Sequence, residues 1–334
     1  MHDLLLNLRR EDRAGRSEAA HPYVVSCFMK VPQRIVSLLP ASTEILSALG
    51  LRDRLVGVSH ECDYPTDVVG LPILTEPKLD PHAPTLAIDA RVQQLMQEGL
   101  SIYRLKTELL QQLQPDLIVT QDQCSVCAVS LPEIEEAVRC FLTPGVKVVS
   151  LKPERLSDIW EDIRRVGAAA GVETAAEDLI RGLKRRLWKL EQQTRRVARP
   201  RVAYIEWLDP LMAGGNWIAE LVEIAGGEYG LAAAGAHSPK LTWEALVEHQ
   251  PEVIVITPCG FKIPQTQADL SIVTSHPQWQ TLPAVEAKRV YVADGNAYFN
   301  RPGPRIIESA EILAEILHPE ECAALAPRGS YVQV

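Results

Sequence analysis

Two nine-residue stretches, "LQPDLIVTQ" (113–121) and "HQPEVIVIT" (249–257), follow one plan: a helix end, a glutamine, a proline, an acid and a β-branched run. Proline lacks the amide that a helix interior needs, so each stretch reads as a helix stopped and followed at once by a strand. Between the two copies lies Leu156–Arg196, which contains no strand-like run. There Leu156, Ile159, Trp160, Ile163 and Val166 recur every three or four residues, as do Leu179, Ile180, Leu183, Leu187 and Leu190. A chain with the same helix–strand unit on both sides of a long helical stretch is restricted to two α/β halves joined by helices.

The rest of the chain fills in that frame. Strands are expected at 34–39, 55–59, 116–121 and 146–151, with helices at about 42–49, 88–98, 101–113 and 131–141. The Pro-rich stretch 71–85 has room for one short strand at most. Gly171 is expected to kink or divide the helical stretch, whose second part would span about 36 Å at 1.5 Å per residue. Trp160 and Trp188 are assigned to its apolar stripe. In the second half, strands are expected at 202–207, 252–258 and 289–294, and helices at 218–226, 242–250 and 304–317. The expected organisation is an extension (1–33), an N-terminal α/β lobe (34–152), linker helices (153–199), a C-terminal α/β lobe (200–318) and a tail (319–334), with parallel sheets in both lobes.

Bulk properties narrow the function. With 34 basic and 43 acidic residues the net charge is −9, which gives no electrostatic support to a nucleic-acid role. No apolar run approaches the ~20 residues of a membrane helix. Leu4–Leu6 is too short for the h-region of a secretory signal, so a cytoplasmic location is expected for the chain as written, and a periplasmic one if the N-terminus is misassigned, with the start open between Met1 and Met29. Seven cysteines are an odd number and not a disulfide framework. GxGxxG, P-loop, GxSxG and HExxH signatures of enzymes are missing, no nucleotide is expected, and the expected state is a monomer.

In open parallel sheets ligands bind beyond the carboxyl ends of the strands. In the first half that rule selects Pro40 and Ser42, then His60, Glu61 and Cys62, then Gln121. In the second it selects Trp207, Cys259 and Phe261, then Tyr298, Phe299 and Arg301. The aromatics suit a flat, partly apolar ligand. Arg301 suits either a ligand carboxylate or phosphate or a neighbouring loop. "HEC" (60–62) and "CSVC" (124–127) bring imidazole and thiols to the same sheet edge, so Cys62, Cys124, Cys127 and His60 are candidate ligands for zinc or iron. A redox pair at Cys124/Cys127 and a purely structural role are the alternatives. Asp63-Tyr64-Pro65 reads as a turn.

"RIVSLLPASTEILSALGLRDRLVGVSHECDYP", "LQPDLIV", "HQPEVIVI", "LVEIAGGE" and "FNRPGPRI", in that order, resemble the periplasmic substrate-binding proteins of ABC importers for vitamin B12, ferric siderophores and haem, most closely those for vitamin B12. The resemblance spans about 34–318. It implies two lobes with a single helical linker, a corrinoid or other metal chelate in the interlobe cleft, modest lobe movement and no catalysis. It also implies a permease partner, with Glu108 and Glu244 standing where the family's docking carboxylates would be. Where vitamin B12 binders carry an aromatic after the second strand and a tryptophan after the strand matching "DLIVTQ", this chain has Glu61 and Gln121. A cytoplasmic thiophilic-metal binder and a cofactor-processing enzyme on the same scaffold are the rival readings.

Overall fold

A computed structural model describes residues 31–81, 83–97, 102–121, 131–142 and 144–334. The first half begins β1 (Ile35–Ser37), α1 (Pro40–Ala48), β2 (Leu55–Val58), β3 (Thr75–Pro77), α2 (Thr85–Gln97), β4 (Tyr103–Leu105) and α3 (Thr107–Leu113). It continues β5 (Leu117–Gln121), α4 (Leu131–Phe141) and β6 (Lys147–Leu151). Helices α5 (Leu156–Ala170) and α6 (Glu173–Thr194) follow. The second half runs β7 (Val202–Leu208), β8 (Leu211–Ala213), α7 (Ile218–Ile224), α8 (Trp243–His249), β9 (Val253–Ile256), α9 (Ile263–Asp269), α10 (Ser271–Thr274), α11 (Pro283–Glu286), β10 (Val290–Ala293), α12 (Ile306–Leu317) and β11 (Tyr331–Gln333).

The two halves are built around one duplicated joint. Gln114 and Gln250 end α3 and α8 in the left-handed region, at φ 42° and 49°, and a proline follows each. The next residue is an acid that anchors the central strand of its own sheet. Asp116 accepts from the Gln33 and Arg34 amides (2.8 and 2.9 Å), and Glu252 accepts from the Arg201 amide (3.0 Å). The arginines reciprocate: Arg34 Nε donates to the Leu113 carbonyl and Arg201 Nε to that of Gln250, at 2.8 and 2.9 Å. The repeated Gln-Pro-acid pattern is therefore a structural device that closes a helix and fixes the register of two parallel strands.

The sheets differ at their edges. The first is wholly parallel, in the order β2-β1-β5-β6. The second, β11-β10-β9-β7-β8, has a parallel centre flanked by antiparallel β8 and β11. Residues 319–334 thus supply an edge strand. The strands β1, β5, β7 and β9 are buried on both faces, which is why they read as unbroken apolar runs.

Helices α5 and α6 form an antiparallel pair across Gly171, which adopts φ 71°. Gly167 lets them approach: a Cβ there would stand 2.5 Å from that of Ala176. Their buried stripes, including Ile159, Ile163, Ile180, Leu183 and Leu187, join Ile35 of the first sheet and Val202 and Leu313 of the second half into one apolar core. Each such side chain contributes about 1.5–3 kcal/mol. The linker is therefore part of the core that both halves share.

Two expectations are corrected. Residues 101–113 are not one helix: Tyr103–Leu105 pairs antiparallel with β3, and Arg104 reaches Glu76 at 3.1 Å. Leu105, Leu109 and Leu113 recur every four residues as in a helix, but Leu105 belongs to that strand and the other two to α3, so the spacing spans two elements. Trp188 is 58% exposed, because it sits one helical position, about 100°, beyond the buried Leu187. Among the described residues no helix is long and apolar enough to cross a membrane.

Candidate functional site

Parallel pairing puts the carboxyl ends of β1, β2 and β5 on one edge of the first sheet, and those of β7, β9 and β10 on one edge of the second. Strand order in the first sheet places β1 between β2 and β5. The loops after β2 and β5 thus start two strand spacings apart, about 10 Å, with the Pro40 end of α1 between them. Cys124 and Cys127 lie outside the described residues.

The two halves meet through four charged side chains. Arg301 follows the turn at Gly295–Phe299 and is only 2% exposed. Its guanidinium donates to Glu44 Oε1 (3.2 Å), Asp63 Oδ1 (2.7 Å) and Asn296 Oδ1 (3.2 Å). Arg305 adds a bidentate pair with Glu44, at 2.9 and 2.6 Å, and lies 3.8 Å above the Tyr64 ring. Glu44 is buried in the first turns of α1, so its charge is balanced by two arginines from the other half. Burial alone would raise the Asp63 carboxyl, but the hydrogen bond and charge of Arg301, with Asn296, hold it below its ordinary range. The contact is also close in backbone terms: a Cβ on Gly303 would lie 3.4 Å from the Ala41 carbonyl.

Asn296 ties this junction to the second sheet edge. Its amide donates to the Phe261 carbonyl at 3.0 Å, and its side chain donates to Asp63 Oδ2 at 3.3 Å. On the far side of Phe261 its ring meets Trp207 edge-on, with centroids 5.4 Å apart. Beside Trp207, Glu206 accepts a hydrogen bond from Ser238 Oγ at 2.9 Å. Burial pushes the Glu206 carboxyl up, and Ser238, the Gly215 amide and His237 offset that only in part.

The first sheet edge has a matching arrangement. The His60 and Tyr103 rings stand 5.0 Å apart, and Glu61 between them in sequence accepts from Tyr103 Oη at 2.8 Å. Burial raises the Glu61 carboxyl, against the Tyr103 hydrogen bond and the more distant Arg301 charge. His60 Nδ1 lies 2.7 Å from Thr75 Oγ1, and burial and the Lys106 charge lower its pKa. Each half thus presents an aromatic pair and a half-buried glutamate whose hydrogen-bonding side-chain partner is a neutral hydroxyl.

Several expected site residues are placed elsewhere. Ser42 is fully buried and bonds the Leu39 carbonyl and Ser37. The Cys62 thiol joins the same hydroxyl cluster, 3.0 Å from Thr43 Oγ1 and 3.2 Å from Ser59 Oγ, and burial pushes its pKa up. Phe299 packs in the interior on Tyr204 at 5.6 Å. Arg301 chose the neighbouring loop. Among the described residues no group of three or more His, Cys, Asp or Glu side chains is arranged to hold a metal.

Of the others, Pro40 is half-buried at the start of α1, Gln121 closes β5, and the Cys259 amide donates to the Glu206 carbonyl at 3.1 Å. Tyr298 lies beside Arg305, 5.4 Å from its guanidinium. Glu44, Tyr103, Ser238 and Asn296 were not singled out by sequence. Tyr103 was hidden inside an expected helix, and Glu44 looked like an ordinary residue of a helix's first turns. Glu108 and Glu244 are both exposed, each the second residue of its helix, on the two copies of the repeated unit.

Known proteins share this architecture. An uncharacterized ABC transporter substrate-binding lipoprotein of Bacillus subtilis (strain 168) is 26% identical over 298 residues, covering 87% of this chain and 82% of that protein. A vitamin B12-binding protein of Vibrio parahaemolyticus is 26% identical over 281 residues, 83% of this chain and 86% of that protein. Among solved structures, the periplasmic vitamin B12 binding protein of Vibrio cholerae aligns with a TM-score of 0.60 at 23% identity, covering 86% of this chain and 97% of that one. A periplasmic haem-binding protein from Pseudomonas aeruginosa aligns at 0.65 and 19% identity, covering 86% and 94%. The expected cytoplasmic location finds no support among these relatives. The family described as periplasmic binding protein matches residues 35–297, most of the two sheets and all of the linker, and the chain belongs to that family.

Proposed function

We propose that this protein is the substrate-binding component of an ABC importer, and that it holds a corrinoid or similar metal chelate between the carboxyl edges of its two sheets. The observation that carries this reading is the matched pair of aromatic groups, His60/Tyr103 and Trp207/Phe261, at the two edges joined through Asn296 and Asp63. Rings on both sides of a junction suit a broad, flat ligand, and a small number of polar groups fix its orientation. Full-length relatives named for vitamin B12 binding favour a corrinoid. In this reading the ligand residues are Pro40, His60, Glu61, Gln121, Trp207, Cys259, Phe261 and Tyr298.

A permease partner accompanies the reading. Glu108 and Glu244, exposed on the duplicated helices, are the docking carboxylates, one per half. The shared core through α5 and α6 restricts the halves to small relative movement. The test is calorimetric titration with cyanocobalamin, together with an absorption spectrum of protein purified without added ligand. One-to-one binding at micromolar concentration or tighter is expected. A flat titration with cobalamin, haem and ferric siderophores alike would refute it.

A further inference from the structure

Four basic or acidic side chains at the junction of the halves satisfy one another. Glu44 and Asp63 take up Arg301 and Arg305, so the two arginines nearest the sheet edges are committed to protein carboxylates. Glu61 and Glu206 are in a different position. Each stands beside an aromatic pair at a carboxyl edge, and each accepts from a neutral hydroxyl, Tyr103 or Ser238. A carboxylate has room for about four hydrogen bonds, so Tyr103 on Glu61, and Ser238 with the Gly215 amide on Glu206, leave part of that accepting capacity unused. A half-buried carboxylate with spare capacity favours N–H donors and disfavours a second carboxylate, since like charges brought together at an interface cost several kcal/mol.

We infer that Glu61 and Glu206 are specificity residues: they accept hydrogen bonds from primary amides or other N–H groups on opposite sides of a planar ligand, and they exclude ligands that present carboxylates there. The inference rests on the corrinoid reading above. It separates two kinds of planar chelate that aromatic walls alone would admit, an amide-rimmed macrocycle and a carboxylate-bearing one.

The experiment titrates the full-length protein at pH 7.5 with three probes: cyanocobalamin, a cyanocobalamin monocarboxylic acid made by hydrolysing one side-chain amide, and haemin. The wild type should bind cyanocobalamin at least about tenfold more tightly than either carboxylate probe, the equivalent of ~1.4 kcal/mol. Glu61→Gln and Glu206→Gln should each narrow that ratio about threefold or more, and the double variant should bring it close to one, with melting curves confirming that each variant is folded. A mutation-free arm uses a cyanocobalamin derivative in which one side-chain amide carries a terminal ammonium. The wild type should bind it at least as tightly as cyanocobalamin.

Cyanocobalamin binding with an unchanged ratio in the double variant overturns the inference and leaves the functional reading intact. So does weaker binding of the ammonium derivative than of the monocarboxylic acid. Binding of none of the probes by the wild type overturns both.

Discussion

The carboxylates at the junction and those at the sheet edges have opposite surroundings. Glu44 is buried against two arginines contributed by the other half of the chain, and Asp63, its side chain 46% exposed, shares one of them. Glu61 and Glu206 are half-buried and take hydrogen bonds from neutral groups, Tyr103 on Glu61 and Ser238 with the Gly215 amide on Glu206. The difference separates structure from function within one cluster. Charges that are already balanced hold the halves together, whereas in the proposed reading the carboxylates without an arginine bonded to them are the ones a ligand engages. The same contrast divides the aromatics, with Phe299 locked on Tyr204 and Trp207 standing half-buried beside Phe261.

The largest effect should come from the balanced side. Glu44→Ala strands two arginines, one of them almost fully buried, and should cost about 3–5 kcal/mol in urea unfolding. Replacing Glu44, Arg301 and Arg305 together by methionine removes the charges as a set and should cost far less than Glu44→Ala alone. If the triple variant were the worse of the two, the ion pairs would be doing more than neutralising one another.

The ligand side should respond in affinity instead. Tyr103→Phe removes the hydroxyl from Glu61, a hydrogen bond worth about 0.5–1.5 kcal/mol. It should change cyanocobalamin affinity by several-fold in calorimetry while the melting temperature moves little.

Asp162 offers a third kind of carboxyl, buried in α5 with Arg165 at 3.0 Å. Burial pushes it up to about 7, the Arg165 charge notwithstanding. With its folded pKa above the unfolded value of about 3.9, the folded state binds the extra proton between those two values. Stability from this group is therefore lost as pH rises from about 4 to about 7. Asp162→Asn should gain on the wild type as pH rises through that window, measured as unfolding free energy at pH 4.5, 6 and 8. A difference that is constant with pH would remove Asp162 from the account.

The smallest effect on the isolated protein belongs to Glu108→Ala/Glu244→Ala. Both sites are exposed, so stability should change by less than about 0.5 kcal/mol and ligand affinity not at all. Uptake by membrane vesicles carrying the partner permease should fall sharply, and unchanged uptake would exclude these two residues as the docking pair.

Much of the frame was legible because it repeats. Gln-Pro-acid before a β-branched run marks the same joint twice, and the fold gives Gln114/Asp116 and Gln250/Glu252 the same role. The linker was legible from its apolar period, and Gly171 from its place between two stripes. What escaped were features set by distant partners. Tyr103 belongs to a strand because β3 lies beside it, and three residues carry no local sign of that. Glu44 becomes a junction residue only because Arg301 and Arg305 arrive from more than 250 positions away. Cys62 carried a thiol to the right edge, but its orientation was decided by Thr43 and Ser59 beneath it.

The comparison between the two kinds of carboxylate is tested most directly by thermal melting with and without cyanocobalamin, on Glu44→Gln and Glu206→Ala side by side. A ligand that binds only the folded state raises stability by RT ln(1 + [L]/Kd), so the ligand-induced shift reports affinity separately from the apo melting point. Glu44→Gln should lower the apo melting temperature and keep the wild-type ligand shift. Glu206→Ala should keep the apo melting temperature and lose most of the shift. A full ligand shift in Glu206→Ala, or an unchanged apo melting temperature in Glu44→Gln, would contradict the division of labour between the paired and unpaired carboxylates.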